Sequence, residues 1–234
     1  MMYLRAFVCV GLAMAALGCS RSESSPVDRR PVEAAAAPAA AIDARPASAR
    51  PRIVFLGDSL TAGYGLERSE SVPSLIQARL DSKGYSYEVV NAGVSGDTSA
   101  GGLSRLDWSL DGDVDVLVVE LGANDGLRGL PVDAMRRNLD EIIRRAKGRG
   151  ITVLLTGMEA PPNYGPAYTD DFRKTFRDVA ASEHVAFMPF FLEGVAGIPS
   201  LNQADGVHPT PEGARIVADN VWRHLRPLLK KTQS

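Results

Sequence analysis

Cysteine is almost missing from this chain of 234 residues, and the two that occur, Cys9 and Cys19, lie close to the N-terminus. A disulfide framework or a cysteine-rich metal site is therefore excluded from the rest of the chain. Histidine is scarce as well, since three residues are few for a metal cluster. The formal net charge of -2 gives no electrostatic reason to expect binding to nucleic acid. We expect neither a metal nor another cofactor.

The sequence also lacks an apolar run long enough to span a bilayer, which takes about 20 residues. The N-terminal run, Ala6 to Leu17, follows a single charge at Arg5 and has the length of a secretory signal. It leads into Gly18-Cys19, which resembles the processing box of bacterial lipoproteins, where the cysteine receives lipid. This predicts a signal peptide at residues 1–19, lipidation of Cys19, and a periplasmic or membrane-anchored protein. The alternative is an ordinary cleaved signal with an incidental cysteine.

Residues 20–50 are rich in alanine, proline, serine and arginine and show no apolar periodicity. Such a segment buries too little apolar surface to offset the entropy lost on ordering, so a disordered tether is predicted. One domain is then expected in residues 51–234, whose length and composition suit a single sizeable core.

Short apolar runs alternate with helically spaced apolar residues through the remaining sequence. The runs have the length and β-branched content typical of buried strands. Alternation of this kind predicts βαβ units, hence an α/β fold with a central parallel five-stranded sheet and helices on both faces. The predicted strands are residues 52–56, 85–91, 115–121, 151–155 and 185–188. The predicted helices are residues 71–82 and 100–110, one carrying Val132 to Ala146, one carrying Phe172 to Ala180, and one beginning near Pro211.

Three small or polar residues follow three successive predicted strands. Ser59 comes after the first strand, Gly93 after the second and Asn124 after the third. The carboxyl ends of parallel strands share one edge of a sheet, where open α/β folds build their sites. We therefore expect these residues at a common site, with Ser59 as a candidate nucleophile.

A histidine and a carboxylate that suit such a serine stand near the end of the chain. Nucleophilic serine chemistry needs a histidine base, a carboxylate that orients it, and donors for the developing oxyanion. His208 lies just before the last predicted helix, and Asp205, three residues earlier, can reach one ring nitrogen across a single turn. The other ring nitrogen is then available to Ser59.

Four separated blocks of the sequence resemble the signature of the SGNH (GDSL) hydrolase superfamily. They are Gly57-Asp58-Ser59-Leu60, Gly93, Gly122-Ala123-Asn124-Asp125 and Asp205-Gly206-Val207-His208. Within the superfamily, the chain is most similar to the bacterial thioesterase I/lysophospholipase L1 and arylesterase branch. The resemblance implies a three-layer α/β/α, flavodoxin-like fold.

The resemblance also implies a role for each matching residue. Ser59 would be the nucleophile, His208 the general base and then the general acid, and Asp205 the residue that orients His208. The backbone N–H groups of Ser59 and Gly93 and the side-chain amide of Asn124 would hold the oxyanion. The expected activity is hydrolysis of acyl esters or thioesters through an acyl-enzyme intermediate. The substrate would be a small ester, a thioester or a lysophospholipid.

The walls of an acyl groove are predicted from four apolar or aromatic residues, namely Leu127, Tyr164, Phe190 and Phe191. Two other functions stay open. One is a carbohydrate or peptidoglycan O-acetyl esterase, which would use the same triad with a polar groove. The other is a non-catalytic binding lipoprotein on the same scaffold, which would have no reason to keep the four blocks together.

Three further carboxylates lie beside the signature residues. Asp58 and Asp125 are expected to form hydrogen bonds that shape the loops of the site. Glu120 lies in an apolar strand, so it must find a partner or lie at the end of the sheet. Structural roles are predicted for all three because buried charge is usually paired.

Overall fold

The structure, a computed structural model, describes residues 50–230. The predicted signal peptide with Cys19, and the predicted tether up to residue 49, lie outside the described residues. The strands are β1 (Arg52–Gly57), β2 (Glu88–Gly93), β3 (Val114–Glu120), β4 (Thr152–Thr156) and β5 (Ala186–Met188). The helices are α1 (Ser59–Ala62), α2 (Val72–Ser82), α3 (Ser99–Ser104), α4 (Leu106–Ser109), α5 (Ala123–Leu127), α6 (Val132–Gly148), α7 (Pro166–Glu183) and α8 (Pro211–Leu225).

The five strands form one sheet in the order β2-β1-β3-β4-β5, and every neighbouring pair is parallel. The chain steps from β1 outward to β2 and then crosses back to β3, so the strand order reverses between β1 and β3. Ligands of open α/β sheets bind in the crevice at such a reversal, beyond the carboxyl ends of the strands. The predicted five-stranded parallel sheet is confirmed, and its register pairs Gly57 at the end of β1 with Gly93 and with Glu120.

Helices cover the sheet in two groups. Helix α2 packs with α8, while α6 packs with both α3 and α7. Crossovers between parallel strands are right-handed, so the direction of a connection across the sheet decides which face its helix covers. The connection from β1 to β2 runs toward one edge of the sheet and the later connections run toward the other edge, which puts the two groups on opposite faces. The central strands β1 and β3 are buried on both faces, which explains their nearly continuous apolar sequences. The three-layer, flavodoxin-like fold is confirmed.

The segment after β1 begins with the short helix α1, because Asp58 caps its N-terminus and Gly63 ends it at φ 80°. One local prediction was wrong. The helix predicted at 100–110 is broken at Arg105 into α3 and α4. The Arg105 side chain donates to the carbonyl oxygens of Gly57 at 2.9 Å and Ala92 at 2.7 Å, so it ties this break to the ends of β1 and β2.

Membrane-spanning helices and metal-binding clusters are both absent from residues 50–230. No helix in that part of the chain has the length and apolar content needed to cross a membrane. No group of three or more histidine, cysteine, aspartate or glutamate side chains within it is arranged to hold a metal ion.

Candidate active site

Ser59 lies at the first turn of α1, directly beyond the carboxyl end of β1. The side chain of Asp58 accepts a hydrogen bond from the Leu60 N–H at 3.0 Å, which fixes the start of the helix. Because β1 is buried along five of its six residues, the position of the Ser59 hydroxyl is set by a strand packed inside the core.

The structure brings the three predicted triad residues together. His208 Nε2 lies 2.8 Å from Ser59 Oγ, and His208 Nδ1 lies 2.7 Å from Asp205 Oδ2. With Asp205 ionised, Nδ1 carries the ring proton and donates a hydrogen bond to the carboxylate, which leaves Nε2 as the acceptor for the serine hydroxyl. This arrangement can remove a proton from Ser59 as the oxygen attacks.

Asp205 is held as a charged group by its own turn. Its Oδ1 atom accepts the backbone N–H groups of His208 at 3.0 Å and Val207 at 2.9 Å. These two hydrogen bonds, and then the one from the His208 side chain, lower the pKa of Asp205 to about 2. A permanently ionised partner favours the imidazolium that forms when His208 takes up a proton.

The loop carrying His208 is anchored by a residue that the sequence reasoning missed. Gln203 donates its backbone N–H to the His208 carbonyl at 2.7 Å and accepts the Gly206 N–H at 2.9 Å, and its side chain donates to the carbonyl of Tyr64 at 2.7 Å. The Tyr64 ring lies against the imidazole, with 4.7 Å between ring centroids. No pattern in the sequence signals these contacts, since more than a hundred residues separate Tyr64 from His208.

Asn124 lies in α5, at the end of the strand next to β1, and its side chain faces Asp58. The amide nitrogen donates one hydrogen bond to Asp58 Oδ2 at 3.0 Å. A primary amide has two N–H groups, so one remains for an oxyanion formed beside Ser59. The Ser59 backbone N–H is also without an acceptor within residues 50–230.

Gly93 has a different environment from the one predicted. Its N–H donates to Asn91 Oδ1 at 3.0 Å, so the amide expected to hold the oxyanion is engaged by a side chain two residues earlier, at the end of β2. A Cβ on Gly93 would lie 2.3 Å from the Ala62 nitrogen and 2.8 Å from the Asp58 oxygen. Packing therefore requires a glycine at position 93, because only glycine lets the end of β2 approach α1 so closely.

The remaining carboxylates near the site are buried and bonded, as the structural interpretation expected. Asp125 accepts from the Ser99 backbone N–H at 2.7 Å and from the Ser99 hydroxyl at 2.6 Å, which joins α5 to α3. Glu120 lies at the end of β3 and contacts Asp58 and Thr61. Its Oε1 atom has no hydrogen-bond partner within the described residues.

A cavity of about 380 Å³ opens beside the triad and is lined mainly by apolar side chains. It adjoins three of the four signature blocks, because Leu60, Ala123 and Val207 on its wall are sequence neighbours of Ser59, Asn124 and His208. Its other lining residues include Leu127, Met158, Phe190 and Leu192. Of the four predicted groove residues, the structure therefore places Leu127 and Phe190 on the wall.

The other two predicted groove residues lie elsewhere. The prediction for Phe191 is wrong, because its side chain is packed in the core with 1% exposed. Phe190 and Phe191 are adjacent in an irregular segment after β5, so no periodicity shows which of the two faces inward. Tyr164 does not line the cavity; its hydroxyl donates to the Leu127 carbonyl at 3.1 Å and so supports the wall from outside.

A substitution at Gly93 tests the packing role of this residue. Gly93→Ala keeps the backbone N–H but adds a methyl group that clashes with the backbone of α1. We expect kcat to fall by about 100-fold, since a misplacement of about 1 Å in a reacting group costs that much. The measurement is ester hydrolysis per mole of protein whose folding is verified by circular dichroism.

Gly148→Ala is the matched control, because a Cβ at that helical glycine would meet nothing within 4 Å. It should leave kcat unchanged. A Gly93→Ala variant with the wild-type kcat would contradict the packing role and favour a role for the amide alone.

Comparisons with known proteins agree with the geometry. Residues 55–216 match the GDSL-like Lipase/Acylhydrolase family. Esterase TesA of Pseudomonas aeruginosa is 47% identical over 182 residues, covering 77% of this chain and 90% of the relative. Thioesterase 1/protease 1/lysophospholipase L1 of Escherichia coli is 37% identical over 182 residues, covering 77% of this chain and 86% of the relative.

A solved structure of TesA superposes with a TM-score of 0.74 at 46% identity, covering 76% of this chain and 99% of that chain. The family match begins within β1 and spans all four signature blocks. The relatives share the family, the fold and most of the described length. The chain therefore belongs to the GDSL-like lipase/acylhydrolase family, which confirms the resemblance drawn from its four signature blocks.

Proposed function

We propose that this chain is a serine hydrolase of acyl esters or thioesters, with Ser59, His208 and Asp205 as its catalytic residues. The observation that carries the proposal is the chain of two hydrogen bonds from Ser59 Oγ through His208 to Asp205, at 2.8 and 2.7 Å. The names of the relatives, an esterase and a thioesterase/lysophospholipase, support the same reaction class.

The reaction has two halves. Ser59 Oγ attacks the acyl carbon while its proton passes to His208 Nε2, and the imidazolium then gives this proton to the departing oxygen or sulfur. The acyl group is left on Ser59. Water attacks the acyl-enzyme while His208 takes its proton, and that proton returns to Ser59 Oγ as the acid is released. Asp205 keeps its negative charge throughout, because its pKa is lowered to about 2.

The oxyanion that forms in each half needs donors aimed at it. We assign the Ser59 backbone N–H and the free N–H of Asn124 to this role. Because the Gly93 N–H is bonded to Asn91, a third donor is better supplied by the turn that follows β2, where the N–H groups of Ser95 and Gly96 show no acceptor within residues 50–230. Arg128 anchors this turn by donating to the Gly96 carbonyl at 2.8 Å.

The apolar cavity beside the triad supports a hydrocarbon acyl chain as the preferred substrate group. Each buried methylene contributes about 0.8 kcal/mol, which corresponds to about fourfold in kcat/KM while the chain still gains contacts. A purely polar substrate such as an acetylated sugar finds few partners on walls made by Leu127, Met158 and Phe190.

Hydrolysis of p-nitrophenyl esters from acetyl to palmitoyl tests this assignment. We expect kcat/KM to rise with chain length to a maximum at medium or long chains, and Ser59→Ala to lose on the order of 10⁶ in kcat. Leu127→Ala should lower kcat/KM for the longer esters and leave the acetyl ester unchanged, because only the longer chains reach that wall.

Two results would contradict the proposal. A preference confined to the acetyl ester would indicate an O-acetyl esterase. Absence of activity at every chain length, in folded protein, would favour a non-catalytic binding protein.

We also propose that the chain is an exported lipoprotein whose Cys19 is lipidated. The support is in the sequence: one charge, an apolar run of about a dozen residues and a small residue before the cysteine. Export makes cytosolic acyl-CoA an improbable substrate and favours lysophospholipids or esters from the environment.

Fractionation of cells that express the full chain tests the lipid anchor. Cys19→Ala should move the protein from the membrane to the soluble periplasmic fraction, because the acylated residue is lost. Cys9→Ala, the control, should stay with the membrane, since Cys9 lies within the signal. Membrane partitioning of Cys19→Ala equal to that of the unaltered chain would overturn the proposal.

A further inference from the structure

Glu120 is a buried carboxyl group that the proposed mechanism does not use. It ends β3 with none of its surface exposed. Its Oε2 atom accepts hydrogen bonds from Thr61 Oγ1 at 2.8 Å and from the Asp58 N–H at 3.3 Å. Its Oε1 atom is buried, and no group in residues 50–230 donates to it. A buried carboxylate oxygen without a donor is costly, so this oxygen is expected to carry a proton.

The side chain of Asp58 is the acceptor within reach of that proton. The Asp58 N–H bonds to the Glu120 carboxyl at 3.3 Å, so the two side chains belong to residues in direct contact, and the charge of Asp58 acts on Glu120. Asp58 receives hydrogen bonds from the Leu60 N–H and from Asn124 Nδ2, each at 3.0 Å, which favour its ionised form. Burial raises the pKa of both groups, and for Glu120 the charge of Asp58 raises it further. The pair therefore holds one proton near neutral pH, and Glu120 keeps it.

We propose that Glu120 is a positioning residue for the oxyanion donor Asn124, acting as a neutral acid that keeps its proton and donates a hydrogen bond to the Asp58 carboxylate. The inference rests on the proposed function, which assigns Asn124 to the oxyanion. An ionised Asp58 only accepts hydrogen bonds, so it holds the amide of Asn124 with the nitrogen toward it. The second N–H of that nitrogen is then left for the oxyanion.

A protonated Asp58 would act in the opposite way. Its O–H could donate to the carbonyl oxygen of Asn124 and so turn the amide around, which puts an acceptor where the oxyanion needs a donor. By holding the proton itself, Glu120 excludes this second arrangement. Gly57 leaves room for the Glu120 side chain, because a Cβ at position 57 would lie 2.7 Å from Glu120 Oε2.

The groups that face the pair come from three elements. Helix α1 supplies the hydroxyl of Thr61 to Glu120, and α5 supplies the amide of Asn124 to Asp58. His208, on the loop before α8, acts on Asp58 through its charge. An imidazolium at His208 favours an ionised Asp58, so the amide of Asn124 is held most firmly when the oxyanion forms.

Two substitutions at Glu120 test whether the site needs a neutral hydrogen-bond donor or a charged carboxylate at this position. Glu120→Gln keeps an oxygen for Thr61 and the Asp58 N–H and places an N–H donor on Asp58. It should retain kcat within about threefold, since the hydrogen-bond pattern is preserved. Glu120→Ala removes both functions and should lower kcat about 10- to 100-fold through the misplaced donor, with KM for a short ester unchanged.

The Asp140→Asn variant is the control. Asp140 on α6 is also a carboxyl group with a buried unpartnered oxygen and a pKa raised by burial, but it has no contact with the triad. Its amide variant should keep the wild-type kcat. A Glu120→Gln variant as impaired as Glu120→Ala would overturn the proposal, because the site would then need the charge of Glu120.

A double-mutant cycle with Asn124 tests whether Glu120 acts through this residue. Asn124→Ala alone should cost about 10²–10³ in kcat, and adding Glu120→Ala to it should cost little more. Additive losses would overturn the positioning role. Ser59→Ala is assayed in parallel: if it stays active, the proposed function fails, whereas unaltered kcat in Glu120→Ala beside an inactive Ser59→Ala defeats only the role of Glu120.

The pH dependence of stability gives a readout independent of activity. A carboxyl group whose native pKa is raised binds more protons when folded, so stability falls as pH rises above the unfolded value of about 4.3. The wild type should therefore lose more Tm than Glu120→Gln between about pH 5 and pH 8. Equal losses in the two proteins would overturn the claim that Glu120 holds a proton.

Discussion

The parallel pairing of β1 with β3 is the constraint on which the candidate site depends. Its register sets Gly57 opposite Glu120, so the residues that follow the two strands, Ser59 and Asn124, emerge side by side. The strand order reverses between these two strands, which is where open α/β sheets bind their ligands. A slip of one register position would separate the nucleophile from the amide and turn Glu120 away from Asp58.

Carboxyl groups occupy two places at the site, and their surroundings favour charge in one place and oppose it in the other. Asp205 lies at the surface and is kept ionised by backbone N–H groups, so it can favour a positive His208. Asp58 and Glu120 lie beneath the nucleophile, where burial opposes charge and the two groups are in contact. In the proposed mechanism, proton transfer from Ser59 occurs on the exposed side, while the buried side holds the oxyanion donors in place.

The strands and the long helices could be predicted from the sequence because their apolar spacing is continuous, as in β3 and α6. The break at Arg105 could not, since it depends on a side chain that bonds the distant Gly57 carbonyl. The short helix α1 could not either, because its four residues are too few to show an apolar period and its start depends on the cap by Asp58. The site residues could be predicted because they lie in short motifs directly after predicted strands or just before the last predicted helix. The close approach of Gly93 to α1 depends on how two separate elements pack, which the sequence around Gly93 does not show. The burial of Phe191 could not be predicted because the irregular segment after β5 has no periodicity that distinguishes Phe191 from Phe190.

The most direct test of the account is reaction of residues 51–234 with a fluorophosphonate, followed by peptide mass spectrometry. We predict one adduct per chain, on Ser59, and no adduct in Ser59→Ala, because His208 can activate only the hydroxyl that lies 2.8 Å from its Nε2 atom. An adduct on Ser95, or none in folded protein, would contradict the assignment of Ser59 as the nucleophile.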